Sequence, residues 1–137
     1  MTDVEAVLGA NAAFYRAFEH LDIARMEAVW LSAPYISCVH PGWQRLVGWG
    51  PVMESWRRIF ESTLAMRFTL GDVRVETRGA VGWVVLTEGI DSRHRDGKVE
   101  AEVEATNVFE RRDGRWRLVH HHGSPVHAPL AVPERMH

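Results

Sequence analysis

The hydrophobic period of this chain changes once, near Met66, and that change limits the possible folds more than any other feature. Before it, apolar residues recur every three to four positions; after it they alternate, as strand residues do. The alternation predicts strands over Arg67 to Glu76, Val81 to Ser92, Val99 to Arg111 and Arg115 to Gly123. Arg78-Gly79, Asp96-Gly97 and Asp113-Gly114 stand between them at hairpin length. A meander of long antiparallel strands must bury one face, and only the N-terminal half can supply the cover.

That half reads as helices. Thr2 and Glu5 have capping-box spacing, and Val7, Leu8, Asn11, Phe14, Tyr15 and Phe18 follow on one face. Asp22 can cap a shorter helix that carries Ile23, Met26, Val29 and Trp30, and Pro34 ends it. Tyr35 to His40 is short and β-branched or aromatic, hence a strand, closed by Pro41-Gly42. Pro51 fits the first turn of a third helix bearing Val52, Trp56, Ile59 and Phe60. The expected order is α-α-β-α-β-β-β-β: an α+β fold in which three helices pack on the concave face of a curved antiparallel sheet. With 137 residues, residues 1–137 are read as one domain.

Composition narrows the function classes. A content of 46% hydrophobic and 25% charged residues is that of a globular domain, not a disordered one. Sixteen Lys plus Arg against eighteen Asp plus Glu give a net charge of -2, so no broad positive field favours nucleic acid. The one cysteine, Cys38, rules out an intrachain disulfide and favours a reducing compartment. The first residues lack the character of a secretory signal and no apolar run is long enough to span a membrane, so the expected location is the cytoplasm. Six Trp and eight His carry most of the remaining information.

Strand parity predicts which side chains share a face, provided that no bulge intervenes. Trp83, Val85 and Thr87, then Val103, Ala105, Asn107 and Phe109, then Trp116, Leu118, His120, His122 and Ser124 are assigned to the helix-facing side. The complementary sets, which include Val84, Leu86, Glu88 and His121, are mixed rather than polar. A half-apolar outer face suits a homodimer joined through the sheet.

The string Arg112-Asp113-Gly114-Arg115-Trp116-Arg117-Leu118-Val119-His120-His121-His122-Gly123-Ser124 resembles the closing hairpin of the calcium/calmodulin-dependent kinase II association domain and its bacterial relatives. Val39-His40-Pro41-Gly42, followed by Gly48 and a helix with Trp56 and Phe60, is similar to the same group. The chain as a whole resembles the nuclear transport factor 2-like superfamily, in its SnoaL-like and ketosteroid-isomerase-like branch. That resemblance implies a cone-shaped α+β barrel, a pocket between sheet and helices, and dimers. It implies further that His40 stands where the isomerases carry a basic Asp, and that Tyr15 or its neighbour Phe14 stands near their oxyanion-hole tyrosine. Trp116 to Ser124 holds no Asp, unlike the SnoaL-type cyclases. Val85 and Asn107 replace the arginines of the association-domain pocket.

These residues support two readings. In the first, the cone is a His- and Trp-lined pocket for a small apolar or ring-bearing ligand, and needs no cofactor. His40 or His122 acts as base there, with Tyr15, Asn107, His120 and Ser124 as polar groups, and Trp43 and Trp56 stack on the ligand. The reaction would be an isomerisation, dehydration or cyclisation beside a carbonyl. In the second, the domain is a non-catalytic binding or assembly module. A metal at His40, His120 and His122 is set aside, since no carboxylate is placed to complete it. The tail from Pro125 to His137 is expected to drape over the barrel or its partner.

Overall fold

The computed structural model describes residues 1–127. Nine elements follow in order: α1 (Asp3–Glu19), α2 (Ile23–Val29), β1 (Ser37–Val39), β2 (Leu46–Val47), α3 (Trp49–Ser62), β3 (Ala65–Arg78), β4 (Val81–His94), β5 (Gly97–Arg112) and β6 (Arg115–Pro125). The capping box is formed: the Glu5 amide donates to Thr2 Oγ1 at 3.1 Å, and the Thr2 amide to Glu5 Oε1 at 3.0 Å. Asp22 caps α2 by accepting from the Arg25 amide at 3.2 Å. At the β5–β6 turn Asp113 and Gly114 both have positive φ, 53° and 76°, the backbone that a two-residue hairpin of matching twist requires.

The sheet has six strands in the order β2-β1-β6-β5-β4-β3 and curves into a cone, with the helices on its inner side. Two details differ from expectation. Leu46 and Val47 form an additional edge strand, and β1 runs parallel to β6, with Ser37 opposite His120 and Val39 opposite His122, so the sheet is mixed. The helical hairpin explains the second: it returns the chain to the end of the sheet where β6 enters, as the Leu31 amide bonded to the Leu118 carbonyl at 2.9 Å shows. The expectation for the tail lies outside the described residues from 128 onward.

The cone is filled by Phe14, Met26, Trp30, Ile36, Met53, Trp56, Phe109 and Leu118, all fully or almost fully buried. Aromatic edges meet faces at Phe14 and Trp56, 5.7 Å, Phe18 and Trp56, 4.9 Å, and Tyr15 and Phe68, 5.0 Å. α1 lies across β3, β4 and β6 and approaches tightly at Gly82, where an added Cβ would stand 2.7 Å from Val7 Cγ2. Gly82 therefore marks the inner face of β4, and Val84, Leu86 and Glu88 share that face by parity. Trp83, Val85 and Thr87 point outward, the reverse of the sequence-based assignment. The sequence misleads here because both faces of β4 carry apolar residues.

Candidate functional site

A single inserted residue decides which histidines the cone contains. Between β5 and β6, Phe109 pairs with Leu118 but Val108 pairs with His120, so Val119 has no partner and the strand bulges. Leu118 faces inward before the bulge; beyond it the parity is inverted, and His121 and Gly123 face inward. His120, His122 and Ser124, expected inside, lie on the outer face opposite Val108, Thr106 and Glu104. They do not join the internal site. His120 is held by Ser37, Nδ1 to Oγ 2.7 Å, and stands 5.9 Å from His122 between ring centroids.

Inside the cone a continuous hydrogen-bonded chain crosses from β6 to β4. Asn107 Oδ1 can only accept, so the 2.6 Å contact from His121 Nδ1 places the proton on that nitrogen. The Asn107 amide donates both its hydrogens, to Asn11 Oδ1 at 2.9 Å and to the Tyr15 hydroxyl at 3.1 Å. Tyr15 in turn donates to Glu88 Oε2 through a short hydrogen bond. All five side chains are buried. Asn107 and His121 are direct cross-strand partners on β5 and β6, whereas Glu88 on β4 pairs with Val103, four residues along β5, and Tyr15 spans that gap; one face of α1 supplies both Asn11 and Tyr15, four residues apart.

A second buried group stands beside the first. Ser55 donates its hydroxyl to the Val52 carbonyl at 2.6 Å, so its oxygen must accept from His40 Nε2 at 2.8 Å. His40 therefore carries its proton on Nε2 and leaves Nδ1 as an acceptor. Its ring stands perpendicular to Trp56 at 4.7 Å and lies 6.5 Å from His121. Cys38 Sγ is 3.7 Å from His40 Nε2, and burial pushes its thiol well above the usual range, which disfavours a nucleophilic thiolate. Trp43, 44% exposed, packs on the outer side of His40 at 4.8 Å, at the rim rather than within.

Burial sets the protonation of each group. It raises the Glu88 carboxyl to about 7, an effect that the Tyr15 hydrogen bond only partly offsets. Tyr15 is pushed far above the ordinary phenol range, by burial first and by Glu88 second. His40 is lowered to about 4 by burial; His121 is lowered to about 3 by burial and then by the neighbouring histidines. Near neutral pH the cone thus holds two neutral imidazoles, a protonated phenol and one carboxyl poised to gain or lose a proton. The Trp56 indole N–H is buried with no acceptor among the described residues.

Of the residues expected in the site, Tyr15, His40, Trp56 and Asn107 do converge in the cone. Sequence reasoning missed Glu88, His121, Asn11 and Ser55 as members. Glu88 had a signal: it shares the parity of Val84 and Leu86, and a carboxyl in an apolar set is a candidate buried acid. His121 had none, because no residue type announces the bulge at Val119. Among the described residues no group of three His, Cys, Asp or Glu side chains is placed to hold a metal ion, and no helix is long and apolar enough to cross a membrane.

The fold so defined is a conical α+β domain with a polar cluster enclosed between sheet and helices. Residues 7–129 match the SnoaL-like domain, and the chain belongs to that family, within the NTF2-like superfamily. A protein from Streptomyces avermitilis described as a proposed dehydratase of the NTF2-like family is 41% identical, with a TM-score of 0.87 over 92% of this chain and 97% of that one. A proposed calcium/calmodulin-dependent protein kinase type II association domain from Thiobacillus denitrificans is 29% identical, with a TM-score of 0.77 over 86% of this chain and 93% of that one. The F-box protein SKIP8 of Arabidopsis thaliana is 29% identical over 119 residues, 87% of this chain. The chain spans about half of that protein's length, 49%.

Proposed function

We propose that this protein binds a small, largely apolar carbonyl compound inside the cone and moves a proton beside the carbonyl, without a cofactor, in a reaction of isomerase, dehydratase or cyclase type. The observation that carries this reading is Glu88: a buried carboxyl raised to about 7 and held in one orientation by Tyr15. A general acid or base works best when its pKa lies near the working pH. As carboxylate, Glu88 takes the proton from the carbon next to the carbonyl; as acid, it returns it. Tyr15 is fixed from behind by Asn107, so it steadies the carboxylate as it forms. The unpartnered Trp56 N–H is the donor left for a ligand oxygen. Trp43, 44% exposed and packed on the buried His40, marks the side from which a ligand would have to reach the cluster.

His40 and His121 keep their place in this account as neutral groups: His121 anchors Asn107, and His40 Nδ1 remains an acceptor. The expected assembly is a homodimer through the outer sheet face, where Trp83, Val85, Val108 and His120 stand partly or fully exposed. That face also favours the second reading, a non-catalytic association module, and the Thiobacillus denitrificans relative points the same way.

The test is proton exchange. Cyclic ketones incubated with the protein in deuterium oxide are expected to exchange hydrogen beside the carbonyl, with a rate that rises with pH through about 7, and Glu88→Gln abolishes the exchange. Exchange by Glu88→Gln at the wild-type rate would overturn the role of Glu88. Absence of exchange and of any ketone-dependent NMR shift in the wild type would leave the assembly reading.

A further inference from the structure

A groove of about 420 Å³ lies outside the cone, between α1, α2 and the start of β6, and four arginines line it: Arg16, Arg25, Arg115 and Arg117. Its volume is in the range of sites for small organic ligands, ~300–1,000 Å³. The space exists because the facing helical positions are small: Ala10 and Ala13 on α1, one turn apart, and Ala28 on α2. The apolar part of the wall is completed by Val29 and by the half-buried Trp116.

The charge in this groove is not balanced within the protein. Among the described residues, Arg16, Arg115 and Arg117 make no ion pair, and Arg25 has only the exposed Asp22, 3.5 Å away. By contrast, Arg111, stacked at 5.4 Å on the same Trp116 ring, is paired with Asp3 at 3.2 Å. Arg16 in the last turn of α1 complements the helix dipole, but that explains one of the four. In a chain whose net charge is -2, four arginines line one groove whose lining holds no carboxylate; Asp22 pairs with Arg25, and Glu110, the cross-strand neighbour of Arg117, pairs with Arg112 instead. Guanidiniums offer planar, bidentate donors matched to carboxylate and phosphate oxygens.

We propose that this groove is a binding site for a small organic anion, a carboxylate or phosphate joined to a flat apolar body. The anionic group lies among Arg16, Arg115 and Arg117, and the apolar body rests on Trp116 between the alanines. The site is separate from the Glu88 cluster and does not depend on the reaction proposed there.

The experiment is calorimetric titration of the full chain at low salt with four probes: 1-naphthoate, 1-naphthyl phosphate, 1-naphthamide and inorganic phosphate. Saturable binding of one or both naphthyl anions is expected, and the stronger of the two tells which anionic group the site takes. The neutral amide and inorganic phosphate are each expected to bind at least about tenfold more weakly, since either the charge-assisted bonds or the apolar contact is missing. Arg16→Gln combined with Arg117→Gln should weaken the naphthyl anion at least about tenfold, a change of roughly 1.4 kcal/mol or more. Ala13→Leu, which fills the groove and keeps every charge, should weaken it as well. Arg58→Gln, on the exposed side of α3, and Glu88→Gln should leave binding unchanged. Equal binding of amide and anion, equal binding by the double variant, loss of binding in Glu88→Gln, or no saturation by either anion at millimolar concentration would each overturn the proposal.

Discussion

His120, His121 and His122 are consecutive on one strand, yet they inhabit two different environments. His121 is buried against Phe14 at 4.9 Å, bonded to Asn107 and held neutral, with its pKa lowered to about 3. His122 is exposed on the outer face, and His120, half-buried, reaches only Ser37. Residue type does not separate them; one unpaired residue, Val119, and the alternation of a strand do. The same imidazole can therefore be a structural anchor or a surface group within 4 Å of chain.

That contrast predicts effects of very different size. Asn107→Leu, which keeps the branching of the side chain but strands Asn11 Oδ1 and His121 Nδ1 and leaves Tyr15 with Glu88 alone, should destabilise the fold by ~3–5 kcal/mol in urea unfolding, with buried polar groups left unsatisfied. His121→Ala should cost ~3 kcal/mol from lost packing and the orphaned Asn107 oxygen, whereas His122→Ala should cost less than ~0.5 kcal/mol. Comparable losses for His121→Ala and His122→Ala would break the assignment of faces.

The fold was largely legible from period and punctuation. The change of period near Met66, the capping residues Thr2 and Asp22, and the glycine-bearing turns are local signals, and each produced the element expected of it. The site was legible only in part. Tyr15, Trp56 and Asn107 point inward because helix faces and unbroken strand alternation can be counted. Glu88 and His121 were placed outside because their positions depend on non-local facts: where α1 crosses β4 at Gly82, and where β6 bulges. The parallel pairing of β1 with β6 is non-local too, since the return path of the helical hairpin determines it.

Titration sharpens the comparison further. The Glu88 pKa is raised from 4.5 to about 7, so its contribution is fully present below pH 4.5 and is lost as pH rises through 7. Glu88→Gln should remove that slope and, above pH 7, gain of order 3 kcal/mol relative to wild type. The two buried histidines act in the opposite sense. Their lowered pKa values give a contribution present above pH 6.5 that is lost as pH falls toward 4 for His40 and 3 for His121. His121→Gln, which keeps a donor for Asn107, should therefore flatten the acid limb of a melting-temperature profile, and an unchanged acid limb would contradict the buried neutral imidazole. The smallest effect is expected at Ser124: Ser124→Ala, on the outer face, should shift stability by less than ~0.5 kcal/mol at any pH.

The account rests on a carboxyl in the cone that holds its proton until neutral pH. The direct measurement is a carbon-13 NMR titration of the glutamate side-chain carboxyls, with Glu88→Gln to assign the resonance. A single glutamate signal that titrates near 7 and vanishes in the variant is the predicted result. A Glu88 signal titrating in the ordinary range near 4.5 would show that the cone is wet at Glu88 and would contradict the proton-transfer site.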